Sequence, residues 1–226
     1  MSNFILAGLY TEGSTDVRFL SSVVERTLFE VAYDCTGDIE IELVILEFSK
    51  TGLSFNKQVQ CAAKLGYEKY GILLLFVHTD SDDENDDLVF KSKINPALES
   101  LLQKSDEEYC KNFVAIVPIQ MTESWMIADR ELLKDEIGIN KTDAELKIHL
   151  NPELIKDPKS LIEDIIRLSK EDLTKRKRNK GLEISDLYQI IGQSIDLSKL
   201  EKIPSYNKFK SSLIIKLKEL NFYHKK

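Results

Sequence analysis

Apolar residues along the first 138 positions follow two alternating periods. Phe4-Ile-Leu-Ala-Gly-Leu-Tyr10 is a short apolar run and predicts a buried strand. From Ser14 to about Tyr33 the spacing changes, and Val17, Leu20, Val23, Val24, Leu28 and Val31 fall on one helical face. Ser14 or Thr15 can cap that helix, and Asp16 in its first turn suits the dipole. Glu40 to Phe48 alternates acid and aliphatic, the pattern of a half-buried strand. Asn56 to Glu68 predicts a second helix. Gly71 to Val77 predicts the central strand, which runs into His78-Thr79-Asp80-Ser81-Asp82-Asp83. Helix resumes from about Leu88 to Lys104, with Asn95-Pro96 marking a break or a first turn. Phe113 to Pro118 is a further strand and Glu123 to Leu133 a further helix. Strands alternating with helices predict an α/β fold, a mostly parallel sheet with helices on both faces.

After about Gly138 the pattern turns helical. Asn151-Pro152 and Asp157-Pro158 punctuate it, and Lys159–Leu168, Ile184–Ile191 and Tyr206–Leu220 carry helical spacing. The chain therefore divides into an α/β domain at 1–138 and a helical extension at 139–226 packed on it. No repeat of 20–50 residues is present, which excludes a solenoid.

Charge sharpens this division. Residues 1–150 hold 14 Lys and Arg against 27 Asp and Glu, a balance of −13, whereas 151–226 hold 17 against 11, or +6. An acidic first part suits metal binding and a basic second part suits a polyanion, and both also suit plain solvated surface. With 42% hydrophobic and 31% charged residues, the composition excludes a mostly disordered chain. No apolar run approaches the roughly 18 residues of a spanning helix. Met1-Ser2-Asn3 lacks the basic start of a secretory signal, so a cytoplasmic protein is expected. Cys35, Cys61 and Cys110 are widely spaced and outside any CxxC pair, which predicts free thiols packed as small hydrophobes.

Three acidic clusters follow predicted strands, where an open α/β sheet places its functional groups. The first is Glu12-Gly13-Ser-Thr-Asp16, in which Gly13 permits a sharp turn before a helix N-terminus. The second is Asp80-Ser81-Asp82, and the third is Met121-Thr-Glu123-Ser-Trp125. Converging carboxylates repel unless a cation joins them, and hard oxygen ligands suit Mg²⁺ or Mn²⁺. Two such ions about 4 Å apart can clamp a phosphodiester, which points to metal-dependent phosphoryl transfer. Each cluster alone also reads as a helix start or a solvated loop. His78 can orient a carboxylate or move a proton, or simply pack at the strand end. Trp125 and Met126 read as core. Lys175, Arg176, Lys177, Arg178 and Lys180 form the strongest basic patch, suited to a nucleic-acid backbone, an acidic partner or solvent. No G-x-x-x-x-G-K-[ST], G-x-G-x-x-G or G-x-S-x-G is present, so any ATPase must be a separate chain.

EGSTD after the first strand and DSD after a later one resemble the Toprim fold of topoisomerases, primases and the overcoming-lysogenization-defect nucleases. VPIQMTESWMIAD, Asn151-Pro-Glu, Asp157-Pro-Lys159 and Pro204-Ser-Tyr206 with Phe209 and Leu213 resemble a particular bacterial Toprim-like family of unknown function, often found beside an ATPase in phage-defence clusters. The resemblance implies that Glu12 is the Toprim glutamate, general acid/base or metal ligand, and that Asp80 and Asp82 hold the metal. It implies that Asp16 and Glu123 serve a second ion, and leaves Asp129 at the margin. It supplies no lysine for the phosphate-facing place. The expected function is a Mg²⁺- or Mn²⁺-dependent nuclease in antiviral defence with an ATPase partner, its substrate DNA, RNA or tRNA. The alternatives are a non-catalytic Toprim-like subunit that docks on the ATPase, and a phosphatase or phosphotransferase of another doubly wound fold. Glu12, where such a phosphatase places its nucleophilic Asp, counts against the last.

Overall fold

The computed structural model describes residues 3–35, 37–170 and 181–222. Four strands, β1 (Asn3–Tyr10), β2 (Ile39–Ile45), β3 (Leu74–His78) and β4 (Phe113–Ile116), form one parallel sheet in the order β2-β1-β3-β4. Parallel neighbours need crossovers, and these are α1 (Asp16–Tyr33), α2 (Phe55–Leu65) and α3 (Asn95–Leu102). Side chains alternate between the two faces of the sheet. Leu74 and Phe76 of β3 enter one core with Ile5, Ala7 and Leu9 of β1, while Leu75 and Val77 enter a second core with Val59, Ala62 and Leu101. At the edge, β2 carries exposed Glu40 and Glu42 between half-buried Ile39, Ile41 and Leu43.

Several elements depart from the pattern reading. β3 begins only at Leu74, because a π-helical turn, Gly66–Tyr70, extends α2 and ends at Gly71 with φ 70°. Pro96 causes no break: helix continues into α3 from a π-helical turn, Phe90–Ile94, and the proline takes the first-turn place that the sequence allowed. The single helix expected over Glu123–Leu133 is two, α4 (Glu123–Met126) and α5 (Arg130–Ile137). Asp129 divides them, since its carboxylate accepts from Leu132 N and caps α5. Of the three free thiols, Cys110 is buried and Cys35 half-buried, but Cys61 lies exposed on α2.

Beyond Gly138 come α6 (Pro158–Ser169), α7 (Ile184–Ser194), the short α8 (Leu197–Leu200) and α9 (Pro204–Glu219). Their apolar faces join the first core of the sheet directly: Phe209 meets Phe76 edge to face at 5.9 Å, and Trp125 meets Tyr206 at 5.3 Å. Trp125 and Met126 are core residues, as their spacing suggests. The prolines of this part are helix starts, with Asp157 capping α6 through Ser160 N at 2.8 Å and Pro158 and Pro204 in first turns. α7 lies flush on α1. A Cβ on Gly192 would stand 2.6 Å from the backbone oxygen of Phe19, so only glycine fits that crossing. Arg26 of α1 donates to the carbonyls of Gly192 and Gln193, and Arg18 to that of Ser185.

Glu153 ties α9 to α4. Its Oε1 accepts from Ser205 N at 3.1 Å, and Ser205 Oγ accepts from Trp125 Nε1 at 2.7 Å. Burial pushes the Glu153 carboxyl above the usual range, against the opposing hydrogen bonds from Ser205. Glu153 therefore holds its proton to higher pH folded than unfolded, and rising pH through that raised value costs stability. Glu153→Gln should be close to wild type in melting temperature at pH 5 and gain on it at pH 8, a difference that paired thermal melts will measure. Gly192→Ala should lose about 1–3 kcal/mol through the clash with Phe19, read by denaturant unfolding.

Candidate metal centre

In the order β2-β1-β3-β4 the chain leaves β1 toward one side and returns past it to β3 on the other. The carboxyl ends of β1 and β3 thus flank the crevice in which an open parallel sheet binds its ligands. β1 hands over to a tight turn closed by Thr11 Oγ1 donating to Gly13 O at 2.6 Å. Lys50 Nζ pins this turn through the carbonyls of Thr11 and Glu12, at 2.6 and 3.0 Å. A Cβ on Gly13 would lie 2.3 Å from Asp16 Oδ2, so glycine is what lets the carboxylate fold back into the crevice. Asp16 is only 8% exposed there.

The second loop is fixed by pairing that continues past the strand ends. Thr79 N donates to Ile116 O at 3.2 Å, Ser81 N to Pro118 O at 3.1 Å and Asp82 N to Gln120 O at 2.9 Å. Asp82 and Gln120 both take left-handed backbone, φ 53° and 62°, which short polar residues such as Asp tolerate better than most. Ser81 Oγ accepts from Gln120 N at 2.8 Å and locks the two loops together.

His78 stands at the centre, fully buried. Its Nε2 lies 3.3 Å from Asp80 Oδ1 and 3.1 Å from Thr122 Oγ1. Its Nδ1 is 3.8 Å from Asp16 Oδ2 and has no hydrogen-bond partner among the described residues. Thr122 N donates to Asp80 Oδ1 at 2.8 Å. Asp16, His78 and Asp80 each bring a ligand atom within 4.8 Å of the others, a group that could hold a metal ion. Burial raises the Asp16 carboxyl above its ordinary value, with the charge of Asp80 adding to it and His78 opposing. Burial would lower the His78 imidazole, yet its bond to Asp80 and the charges of Asp80, Asp16 and Glu12 carry it above the ordinary value. These shifts are what crowded anionic groups produce in a partly dry site.

The remaining sequence-predicted residues surround this trio rather than join it. Glu12 faces outward with its side chain 46% exposed, accepting from Thr79 Oγ1 at 2.5 Å and pairing with Lys93 Nζ at 3.1 Å. Burial and the charge of Asp80 raise the Asp82 carboxyl, with Lys93 opposing. Glu123, the first residue of α4, is 5% exposed and accepts from the Tyr188 hydroxyl. Asp129 is spent as a helix cap. Lys175, Arg176, Lys177, Arg178 and Lys180 lie outside the described residues. Pattern reading passed over Thr79, Lys93 and Tyr188. Thr79 and Thr122 sit inside the quoted acidic runs and were within reach, whereas Lys93 and Tyr188 arrive from distant helical segments with no local signature.

A family model matches residues 11–214 of this chain. The chain belongs to the family described as a domain of unknown function, DUF4276. The DUF4276 match begins at the acidic turn and ends within α9, so it takes in the crevice and the helices behind it. Its parallel sheet is compatible with a Toprim-like fold. No curated protein and no solved structure matches the chain. Among the described residues of this DUF4276 chain, no helix is long and apolar enough to cross a membrane.

Mn²⁺ that binds the Asp16–His78–Asp80 group should stabilise the fold by about 2.7 kcal/mol at a hundredfold excess over its dissociation constant. Asp80→Asn should remove most of that gain. Melts with Mn²⁺ and with a chelator check it, and equal shifts in both proteins would locate the ion elsewhere.

Proposed function

We propose that this chain is a Mg²⁺- or Mn²⁺-dependent nuclease of Toprim type, acting in antiviral defence with a separate ATPase. The observation that carries the reading is the meeting of Asp16 and Asp80 around buried His78, whose Nδ1 has no hydrogen-bond partner among the described residues, at the switch point of a parallel sheet. The donor set fits a divalent cation: two carboxylates are of the kind Mg²⁺ and Mn²⁺ favour, and the imidazole suits the softer of the two. Asp16 and Asp80 would hold the ion, with Asp82, Glu12 and Glu123 around them. Bound there, a divalent cation supplies neutralisation of phosphate charge and water of lowered pKa.

The chain's own residues do the positioning. Thr122 fixes Asp80 through both its N–H and its hydroxyl. The Thr79 hydroxyl aims Glu12, which is exposed enough to take a proton from an attacking water. Lys93, shared between Glu12 and Thr79, is the lysine that would serve as the phosphate-facing residue, its ammonium meeting a phosphate oxygen there. The basic run at 175–180 adds charge suited to a nucleic-acid backbone.

The second reading, a non-catalytic subunit docked on an ATPase, is favoured by one contact: Glu12 already has a counter-ion in Lys93, as a structural ion pair would. Both readings meet the same assay. Plasmid, single-stranded DNA and tRNA are each incubated with protein and Mg²⁺, Mn²⁺ or EDTA, with and without the proposed ATPase partner. Cleavage should need the metal and fall at least about 100-fold in Asp80→Ala/Asp82→Ala, the upper end of what even an outer partner of a metal costs. Undiminished cleavage in that variant overturns the nuclease reading, and silence with the ATPase present favours the subunit.

A further inference from the structure

The helices beyond Gly138 reach the acidic crevice at one point. Tyr188, one turn into α7 and 2% exposed, donates its hydroxyl hydrogen to Glu123 Oε1. The Glu123 carboxylate also takes a hydrogen bond from its own backbone N–H, and the residue before it, Thr122, donates its N–H to Asp80. Glu123 in turn feels the charges of Asp80 and Asp16, and Tyr188 feels all three carboxylates. No other side chain of α7 makes a polar contact with the crevice residues among the described contacts.

This placement is built and not incidental. α7 follows α1, the helix that begins with Asp16, and three contacts set its height and direction on that helix. Arg18 holds the carbonyl of Ser185 near the start of α7, Arg26 holds those of Gly192 and Gln193 near its end, and Gly192 brings the backbones together at Phe19. The two helices therefore run the same way from the crevice, and the buried Tyr188 reaches the first residue of α4 with its hydroxyl. A tyrosine hydroxyl buried in apolar surroundings needs a partner, and this one has taken a carboxylate beside the metal-holding group.

We infer that Tyr188 is a positioning residue of the metal centre: it fixes one oxygen of Glu123 so that the other is aimed at the ion or its water, making the C-terminal helices a working part of the site. This rests on the metal reading of Asp16, His78 and Asp80 given above. Outer groups that orient a ligand typically cost 10–100-fold in metal affinity when removed. Removing the hydroxyl frees the Glu123 carboxylate to rotate, with the packing of the ring unchanged.

The test is Mn²⁺ titration followed by electron paramagnetic resonance on four full-length proteins: wild type, Tyr188→Phe, Glu123→Gln and the double variant, with a thermal melt on each sample. Tyr188→Phe should bind Mn²⁺ at least about tenfold more weakly. In the Glu123→Gln background the same change should have little further effect, because the hydroxyl acts through that carboxylate. A purely structural role would lower the melting temperature and leave the affinity of the folded protein unchanged. Wild-type affinity in Tyr188→Phe, or an equal loss in both backgrounds, overturns the inference while leaving the metal centre standing. A wild type that binds no Mn²⁺ overturns the metal reading itself. Should Tyr188→Phe not fold, the wild type with labelled tyrosine rings decides: bound Mn²⁺ should broaden the Tyr188 ring resonances ahead of those of the remote, exposed Tyr33, and equal broadening counts against Tyr188.

Discussion

Two carboxylates and an imidazole held together out of water are the constraint around which this molecule is arranged. Asp16 and Asp80 come from different crossovers, and left to themselves they would separate. They are kept together because each takes a backbone hydrogen bond: Asp16 from Gly13, Asp80 from the N–H of Thr122. The pairing of Thr79, Ser81 and Asp82 with the chain beyond β4 makes that second loop as firm as the sheet. The electrostatic strain is thus carried by hydrogen bonds formed elsewhere, which is the usual arrangement where a site must be ready before its ligand arrives.

The helices after Gly138 belong to the same economy of packing. Their apolar faces complete the core on one side of the sheet, and Glu153, Ser205 and Trp125 connect the start of α9 to α4 in a single buried chain of hydrogen bonds. α4 is the element that carries Glu123, so what steadies Trp125 also steadies the crevice. Gly192 works from the other side, letting the backbone of α7 lie directly against that of α1.

Much of this was legible in the sequence, for identifiable reasons. Strands buried on both faces are written as unbroken aliphatic runs, and Leu74 to Val77 could hardly be anything else. Helices with one buried face repeat their apolar positions, which made α1 and α9 readable. Local competition was harder to see: Asp129 looks like any residue of a helical run until its side chain caps the next helix. The site divides in the same way. Asp16, Asp80 and Asp82 stand beside glycine and serine in short runs next to strand ends, so proximity in sequence announces them. His78 lies in the same run and reads equally well as packing, because burial and an unpartnered Nδ1 are properties of the fold. Lys93 and Tyr188 reach Glu12 and Glu123 across 81 and 65 positions, and no periodicity encodes such meetings.

Among the described residues no strand pairs with the outer edge of β2, and its exposed residues there are Glu40 and Glu42. Two like charges spaced along a bare edge repel the edge of a second molecule that tried to add a strand. Like charge along that edge therefore works against strand addition, the commonest way in which a sheet recruits a second copy of itself.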